Sequence, residues 1–270
     1  MTTLDRYIQY YTQAIRGFVD AVGEVNAANI PEPHLPLWGR GYDQANPKIL
    51  FIGEETRGWR NGADEFLKIA RKNPAKALDC NLEKNEIDSL KFIGWAGRSG
   101  RDFWGTVFRL LALIHGLNGK DDWKRFKCKD IDQADSEAAR LLRSFAWANT
   151  NAVEQHTTLA LADPTVRNHL RIASASHLDS LTLLLDVFQP DVAIIMNWIG
   201  FPEGYWGREL HWNWFASNIK HLAYTVYEGN NYKTHIFKTA HPTYLHRRKL
   251  HDKVLEAIES KWQSLRASAP

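Results

Sequence analysis

Four short apolar segments, each ending on polar residues, constrain the fold of this chain more than any other feature. They are PKILFIGEE (47–55), RSFAWANTNAV (143–153), PDVAIIMNWIG (190–200) and THIFKTAHP (234–242). Their short length and β-branched content are typical of strands that are buried on both faces of a sheet. The sequence therefore predicts four core strands.

Helical periodicity separates these strands. Apolar residues recur at helical spacing over 3–28, 102–116, 134–145, 168–188 and 248–262. Strands that alternate with helices favour a parallel sheet with helices on both faces. We therefore predict an α/β protein with a three-layer α/β/α arrangement around a central, mostly parallel four-stranded sheet.

The domain prediction is one domain over 1–270 that opens with the helix 3–28. Residues 61–91 are polar and charged, which predicts a surface excursion. Residues 201–233 hold several of the eleven tryptophans and predict an insertion that ends in a hairpin-like EGNN turn. We expect a monomer.

Composition excludes several classes of protein. The net charge of +3 is too small to indicate nucleic-acid binding without a local basic patch. Two cysteines cannot form a four-cysteine zinc or iron–sulfur site. The N-terminus lacks a signal-peptide pattern, and no apolar run is long enough to span a bilayer. We expect a cytoplasmic protein that needs no metal and no other cofactor and has no membrane partner.

Polar side chains stand at the end of every predicted strand. In parallel sheets of this class the ligand binds beyond the carboxyl ends of the strands. The side chains that meet there are Glu54, Glu55, Asn149, Asn151, Asn197 and His241. Their coincidence predicts a functional site at this edge.

Four segments, taken in order, resemble the uracil-DNA glycosylase superfamily. FIGEETRGW (51–59) resembles its first motif, and FIGWAGRSG (92–100) is similar to the F-x-G-x-A-G segment of its thermophilic-type members. TNAV (150–153) resembles the strand end that carries a base-reading asparagine, and AHPTYL (240–245) resembles the second motif, H-P-S-P-L. The resemblance implies DNA as the partner and hydrolysis of a base–sugar bond.

The resemblance assigns two catalytic roles. Such enzymes extrude the target base into a pocket before they cleave it from the sugar. A carboxylate stabilises the positive sugar or activates water, and a donor stabilises the departing base. Glu55 takes the carboxylate role, with Glu54 as the alternative, and His241 takes the donor role.

The resemblance also assigns residues that hold the base and the DNA. Asn151 would bind the base edge, with Asn149 as the alternative, and Phe92 would stack on the base face. Leu245, assisted by Tyr244, would fill the vacated stack as an apolar wedge. Three basic residues would hold phosphates, namely His246, Arg247 and Arg248.

Two departures from the family bear on the target. Arg57 stands where the strict uracil enzymes have a tyrosine that excludes C5 substituents, and Thr56 replaces the proline before it. With Trp59 nearby, an open C5 side favours a larger base, such as glucosylated 5-hydroxymethylcytosine of phage DNA. The superfamily resemblance extends to bacterial anti-phage defence glycosylases of this kind.

Three alternatives stay open at this point: repair of uracil or another deaminated base, a catalytically idle DNA-binding member, and hydrolysis of free nucleosides or nucleotide sugars. No lysine in the motifs stands as an obvious Schiff-base nucleophile, so we predict hydrolysis without a lyase step.

Overall fold

The computed structural model describes residues 1–27, 30–54, 62–84, 101–116, 144–154, 163–197, 213–214, 219 and 221–268. Its helices are α1 (Thr3–Val22), α2 (Ala63–Lys72), α3 (Pro74–Lys84), α4 (Arg101–His115), α5 (Pro164–His177), α6 (Leu181–Phe188), α7 (Pro242–Arg247) and α8 (His251–Ala267). Its strands are β1 (Leu37–Trp38), β2 (Ile49–Gly53), β3 (Phe145–Asn149), β4 (Val192–Asn197), β5 (Asn213–Trp214), β6 (Leu222–Gly229) and β7 (Tyr232–Ala240).

The strands form a mixed sheet in the order β1-β3-β2-β4-β7-β6-β5. The four predicted strands β3, β2, β4 and β7 are adjacent and parallel. β1, β5 and β6 join the two edges in antiparallel orientation. The α/β class is confirmed, whereas the prediction of a four-stranded, mostly parallel sheet is wrong. The described residues contribute seven strands, whose pairings are three parallel and three antiparallel.

Helices pack against both faces of this sheet, because the side chains of β2 alternate between two cores. Leu50 and Ile52 belong to the core beneath α1, α2, α3, α5 and α6. Ile49 and Phe51 belong to the core beneath α4, α7 and α8. A strand with both faces buried has no polar position until it ends, which places the polar residues at its carboxyl end.

Three predicted boundaries are wrong for identifiable reasons. The N-terminal helix ends at Val22 and does not reach residue 28, because Gly23 takes a φ of 58°. The segment 168–188 forms two helices, α5 and α6, which Ser180 separates by capping α6. The segment 134–145 ends in β3, and its residues 134–143 lie outside the described part.

The polar segment 61–91 is not a simple surface excursion. Where the structure describes it, it forms α2 and α3, which bury Phe66, Leu67 and Leu78 against the core beneath α1. The second half of the predicted insertion 201–233 is the strand β6, which pairs with β7 through a two-residue turn at Asn230 and Asn231. The predicted EGNN hairpin turn is therefore confirmed.

Candidate functional site

The carboxyl ends of β3, β2, β4 and β7 lie side by side at one edge of the sheet. Gly53 pairs with Asn149, and Asn197 pairs with Ala240, the residue before His241. Ile52 pairs with Ile195, and Glu54 and Asn197 each follow two residues later along their chains. The predicted convergence of polar strand ends is therefore present in the described residues.

Backbone hydrogen bonds join the ends of β2 and β3. The amide of Thr150 donates to the carbonyl of Gly53 at 2.8 Å, and the amide of Asn151 donates to the carbonyl of Glu54 at 3.0 Å. The hydroxyl of Thr150 donates to the same Glu54 carbonyl at 2.8 Å. Glu54 is half-buried, and its backbone is held in place at the strand end.

Asp179 extends this support beneath β3. Its Oδ1 accepts from the amide of Ala152 at 2.7 Å and from the hydroxyl of Ser174 at 2.8 Å. Asp179 lies in the break between α5 and α6, so the interruption of the predicted long helix directs a carboxylate at the segment that follows Asn151. Asn149 and Asn151 are both buried there.

Gly53 lies against a polar and an aromatic side chain. A Cβ at this position would lie 2.9 Å from Oδ1 of Asn149 and 3.2 Å from the nearest ring carbon of Phe103. The space that other residues use for a side chain is therefore filled by Asn149 and Phe103. Of the two asparagines, Asn149 is the one whose amide oxygen lies in this corner.

Phe103 also faces the second motif. Its ring and that of His241 have centroids 6.4 Å apart and planes inclined by 25°. Phe103 lies near the start of α4, so this half-buried aromatic surface extends between the ends of β2 and β7. Sequence analysis missed it, because its spacing within α4 matches that of ordinary core residues.

His241 is the N-terminal cap of α7, and its capping hydrogen bond indicates which ring nitrogen carries the proton. Its Nδ1 accepts from the amide of Thr243 at 3.3 Å. A nitrogen that accepts carries no proton, so the neutral imidazole carries its proton on Nε2. His241 is half-buried and can therefore offer an N–H donor from Nε2.

Asn197 and Thr239 contribute buried polar atoms without a visible partner. Asn197 is 7% exposed, and its Oδ1 accepts no hydrogen bond from the described residues. The hydroxyl of Thr239 is likewise unpaired among them. Asn197 had been identified as a polar strand end, but the sequence assigned it no role.

The wedge prediction for Leu245 is wrong in this structure. Leu245 is fully buried in the core beneath α4 and α8, because α7 docks with this side inward. Tyr244 is half-buried instead; its hydroxyl lies 3.2 Å from Nε2 of His221, and the Arg248 guanidinium lies 5.5 Å from its ring centroid. Tyr244 therefore presents the aromatic surface beside His241.

The basic segment after Tyr244 lies on the surface. His246, Arg247 and Arg248 are exposed. The ring of His246 stacks on His251 at 3.8 Å, and Nε2 of His251 lies 2.8 Å from Oγ1 of Thr106 on α4. Burial, followed by the nearby His246, lowers the pKa of His251 to about 4, so at neutral pH His251 adds no charge to this surface.

Several predicted site residues lie outside the described part of the chain: Glu55, Arg57, Trp59 and Phe92. Within the described part, no group of three or more His, Cys, Asp or Glu side chains is placed to hold a metal ion. None of the helices described is long and apolar enough to cross a membrane.

Comparisons with known proteins assign no family. No protein-family model, no curated protein and no solved structure matches the chain. The motif resemblance and the geometry of the strand ends are therefore the two grounds for a proposal of function.

Proposed function

We propose that this protein is a DNA glycosylase that hydrolyses the bond between a flipped, non-canonical base and its sugar. The observation that carries the proposal is the cap formed by His241. Its Nδ1 accepts from the amide of Thr243, so a neutral ring carries its proton on Nε2, at the edge where Glu54, Asn149 and Asn151 also lie. A donor opposite a carboxylate is the pair that this cleavage needs.

The fold supports the same proposal. The superfamily has a three-layer α/β/α fold with a parallel core, and we propose that fold here. Its support is the parallel block β3-β2-β4-β7 with helices against both faces. In this block the strand that leads to Glu54 and the strand that leads to His241 flank β4, so both motifs lie at one edge of the sheet.

The proposed reaction has a simple balance. A water molecule attacks C1′ and gives one proton to the carboxylate of Glu55 or Glu54, while the bond from C1′ to the base nitrogen breaks. The electron pair of that bond leaves with the base, and the Nε2–H of His241 stabilises the resulting negative charge. The carboxylate then releases its proton to solvent and the base anion takes up a proton, so the products are an abasic site and the free base.

The DNA-binding part of the proposal rests on α7 and the segment after it. With Leu245 buried, we assign the wedge to Tyr244, because an aromatic ring can fill a vacated stack as an apolar side chain does. Exposed His246, Arg247 and Arg248 would then contact phosphates. The cation above the Tyr244 ring helps to hold that ring in place.

The favoured target is a C5-hypermodified cytosine, such as the glucosylated 5-hydroxymethylcytosine of phage DNA. Arg57 in place of the gate tyrosine, and Trp59 beside it, support a pocket that is open at C5. A guanidinium can donate to sugar hydroxyls, and an indole can stack on a sugar ring. Such an activity would serve anti-phage defence.

The test is abasic-site formation on four DNAs: plain, uracil-containing, 5-hydroxymethylcytosine and glucosylated phage DNA. Alkali cuts the strand wherever a base has been removed. We expect cutting of glucosylated DNA alone by the wild type, and loss of cutting in His241→Asn, since asparagine keeps the helix cap but lacks the imidazole. Glu54→Gln and Glu55→Gln, tested separately, identify the carboxylate.

The matched control is Glu228→Gln, which neutralises an acid in the β6–β7 hairpin whose side chain is 78% exposed. It should cut as the wild type does. Cutting of uracil DNA alone would make the protein a repair glycosylase. DNA binding without any cutting would contradict an enzyme and favour an idle DNA-binding member, for which the exposed basic segment is sufficient.

A further inference from the structure

Asn197 lies at the centre of the candidate site. It ends β4, the strand between β2 and β7, and it pairs with Ala240 on one side. On the other side, the last pair is Ile52 with Ile195, and Glu54 and Asn197 each follow two residues later. The end of β4, and with it Asn197, therefore lies between the strand end that leads to Glu54 and the strand end that leads to His241.

The side-chain carbonyl of Asn197 is an acceptor without a donor in the described residues. The side chain is 7% exposed, and its Oδ1 is buried and unpaired there. Buried polar atoms in folded proteins nearly always have a hydrogen-bond partner. An acceptor that is unpaired in the free protein, at the strand ends where the proposed base would bind, can be satisfied by a donor that the base brings.

An acceptor selects its ligand by the hydrogen that the ligand offers. The 4-amino group of a cytosine ring carries two N–H donors, whereas the 4-oxo group of a uracil ring presents a second acceptor. Pairing a carbonyl with a carbonyl leaves both atoms unsatisfied in a buried site. The carboxylate of Glu54, which follows β2, is also an acceptor, so it too would leave a 4-oxo group without a donor.

We propose that Asn197 Oδ1 accepts a hydrogen bond from the exocyclic amino group of the bound base, so that the site selects 4-aminopyrimidines over 4-oxopyrimidines. This inference rests on the proposed function and defines the substrate class of that site. Asn197 would then determine specificity at position 4, while the surroundings of Arg57 determine it at position 5.

The test uses two duplex oligonucleotides that differ only in the pyrimidine ring, one with glucosylated 5-hydroxymethylcytosine and one with glucosylated 5-hydroxymethyluracil. We expect the wild type to release the amino base with the higher kcat/KM. Asn197→Leu, of similar volume but without an acceptor, should reduce that preference at least about tenfold. Equal losses on both substrates, or a wild-type preference for the oxo base, would overturn the proposal.

A second measurement separates this inference from the glycosylase proposal. The free bases 5-hydroxymethylcytosine and 5-hydroxymethyluracil are added at millimolar concentration, and the thermal midpoint of the protein is recorded. The amino base alone should raise the midpoint of the wild type and leave that of Asn197→Leu unchanged. A shift with the amino base alone, without any abasic-site formation, would refute the glycosylase proposal and support the inference about Asn197. No shift with either base, together with no cutting, would overturn the glycosylase proposal and the inference.

Unfolding of the ligand-free variants supplies the control. Because Asn197→Leu removes an unpaired acceptor, its thermal midpoint should equal or exceed that of the wild type. A fall of several degrees would show that the amide is already hydrogen-bonded in the free protein, and this result would overturn the inference. Tyr7→Phe removes another buried, unpaired oxygen, on helix α1 and not at the strand ends. It should change neither the thermal midpoint nor the substrate preference. Asn197→Met repeats the test if leucine does not fit.

Discussion

Replacing Gly53 by alanine should destabilise the protein, although the site is the end of a strand where glycine is ordinarily the weaker residue. The added Cβ would lie 2.9 Å from Oδ1 of Asn149 and 3.2 and 3.3 Å from two ring carbons of Phe103. Neither neighbour can retreat easily, because Asn149 is buried and the Phe103 ring lies edge-on against Trp104 at 5.1 Å.

The magnitude follows from two opposing terms. Alanine reduces the freedom of the unfolded chain and stabilises by about 0.4 to 1 kcal/mol, whereas overpacking a filled site costs about 1 to 3 kcal/mol. We therefore expect Gly53→Ala to lower the free energy of unfolding by about 1 to 2 kcal/mol in urea denaturation. Activity should fall further, because the side chains that are displaced lie in the candidate site.

A matched glycine and a double-variant cycle test the reasoning. Gly105 lies in α4 with nothing within 4 Å of its would-be Cβ, so Gly105→Ala should stabilise the protein. In a Phe103→Ala background the cost of Gly53→Ala should shrink by about 0.5 kcal/mol or more, since the variants share a contact. Additive effects, or a Gly53→Ala protein as stable as the wild type, would refute the steric account.

Two further predictions concern α7 and a buried histidine. Leu245→Ala should cost about 2 to 5 kcal/mol of stability, as expected for a core leucine. Tyr244→Ala removes a half-buried ring that contacts His221 and Arg248, so it should cost less stability than Leu245→Ala and should weaken activity on paired DNA more than on single strands. A greater selective loss on paired DNA for Leu245→Ala than for Tyr244→Ala would restore Leu245 as the wedge. Burial lowers the pKa of His34 from 6.5 to about 3, so the unfolded state binds more protons between these values and stability falls as the pH falls, by up to about 1.4 kcal/mol per pH unit. His34→Phe, which keeps a ring against Trp147, should flatten the dependence of the unfolding free energy on pH from 7 to 5, and an unchanged slope would contradict this origin.

The parallel core could be predicted because β2, β3 and β4 are apolar on both faces and β7 has an apolar pair, Ile236 and Phe237, at its centre. β2, β3 and β4 fall within their predicted segments. β7 overlaps its predicted segment but begins two residues earlier, at Tyr232. The remaining strands could not be predicted in this way. β1 and β5 are two residues long, and β6 has a mixed burial pattern and lacks the continuous apolar run of a fully buried strand.

Helices α2 and α3 were missed for a related reason. Each buries only one face, so the sequence of α2 has as many charged residues as apolar ones even though Phe66, Leu67 and Ala70 are buried. The helical spacing of those three residues was the available signal. The average polarity of a segment does not show which residues share one helical face, whereas the spacing of its apolar residues does.

The same distinction explains which site residues could be predicted. A residue that follows a buried parallel strand is brought to the ligand edge by topology alone, which is why Glu54, Asn149 and His241 converge as expected. A helical residue reaches that edge only if its helix docks with the correct rotation, and neighbouring helical residues point about 100° apart. Leu245 and Tyr244 differ by one such step, and their sequence leaves open which one faces the core. Phe103 reaches the site by the docking of α4, so both the missed residue and the wrong wedge arise from helix packing, a tertiary property that strand patterns do not contain.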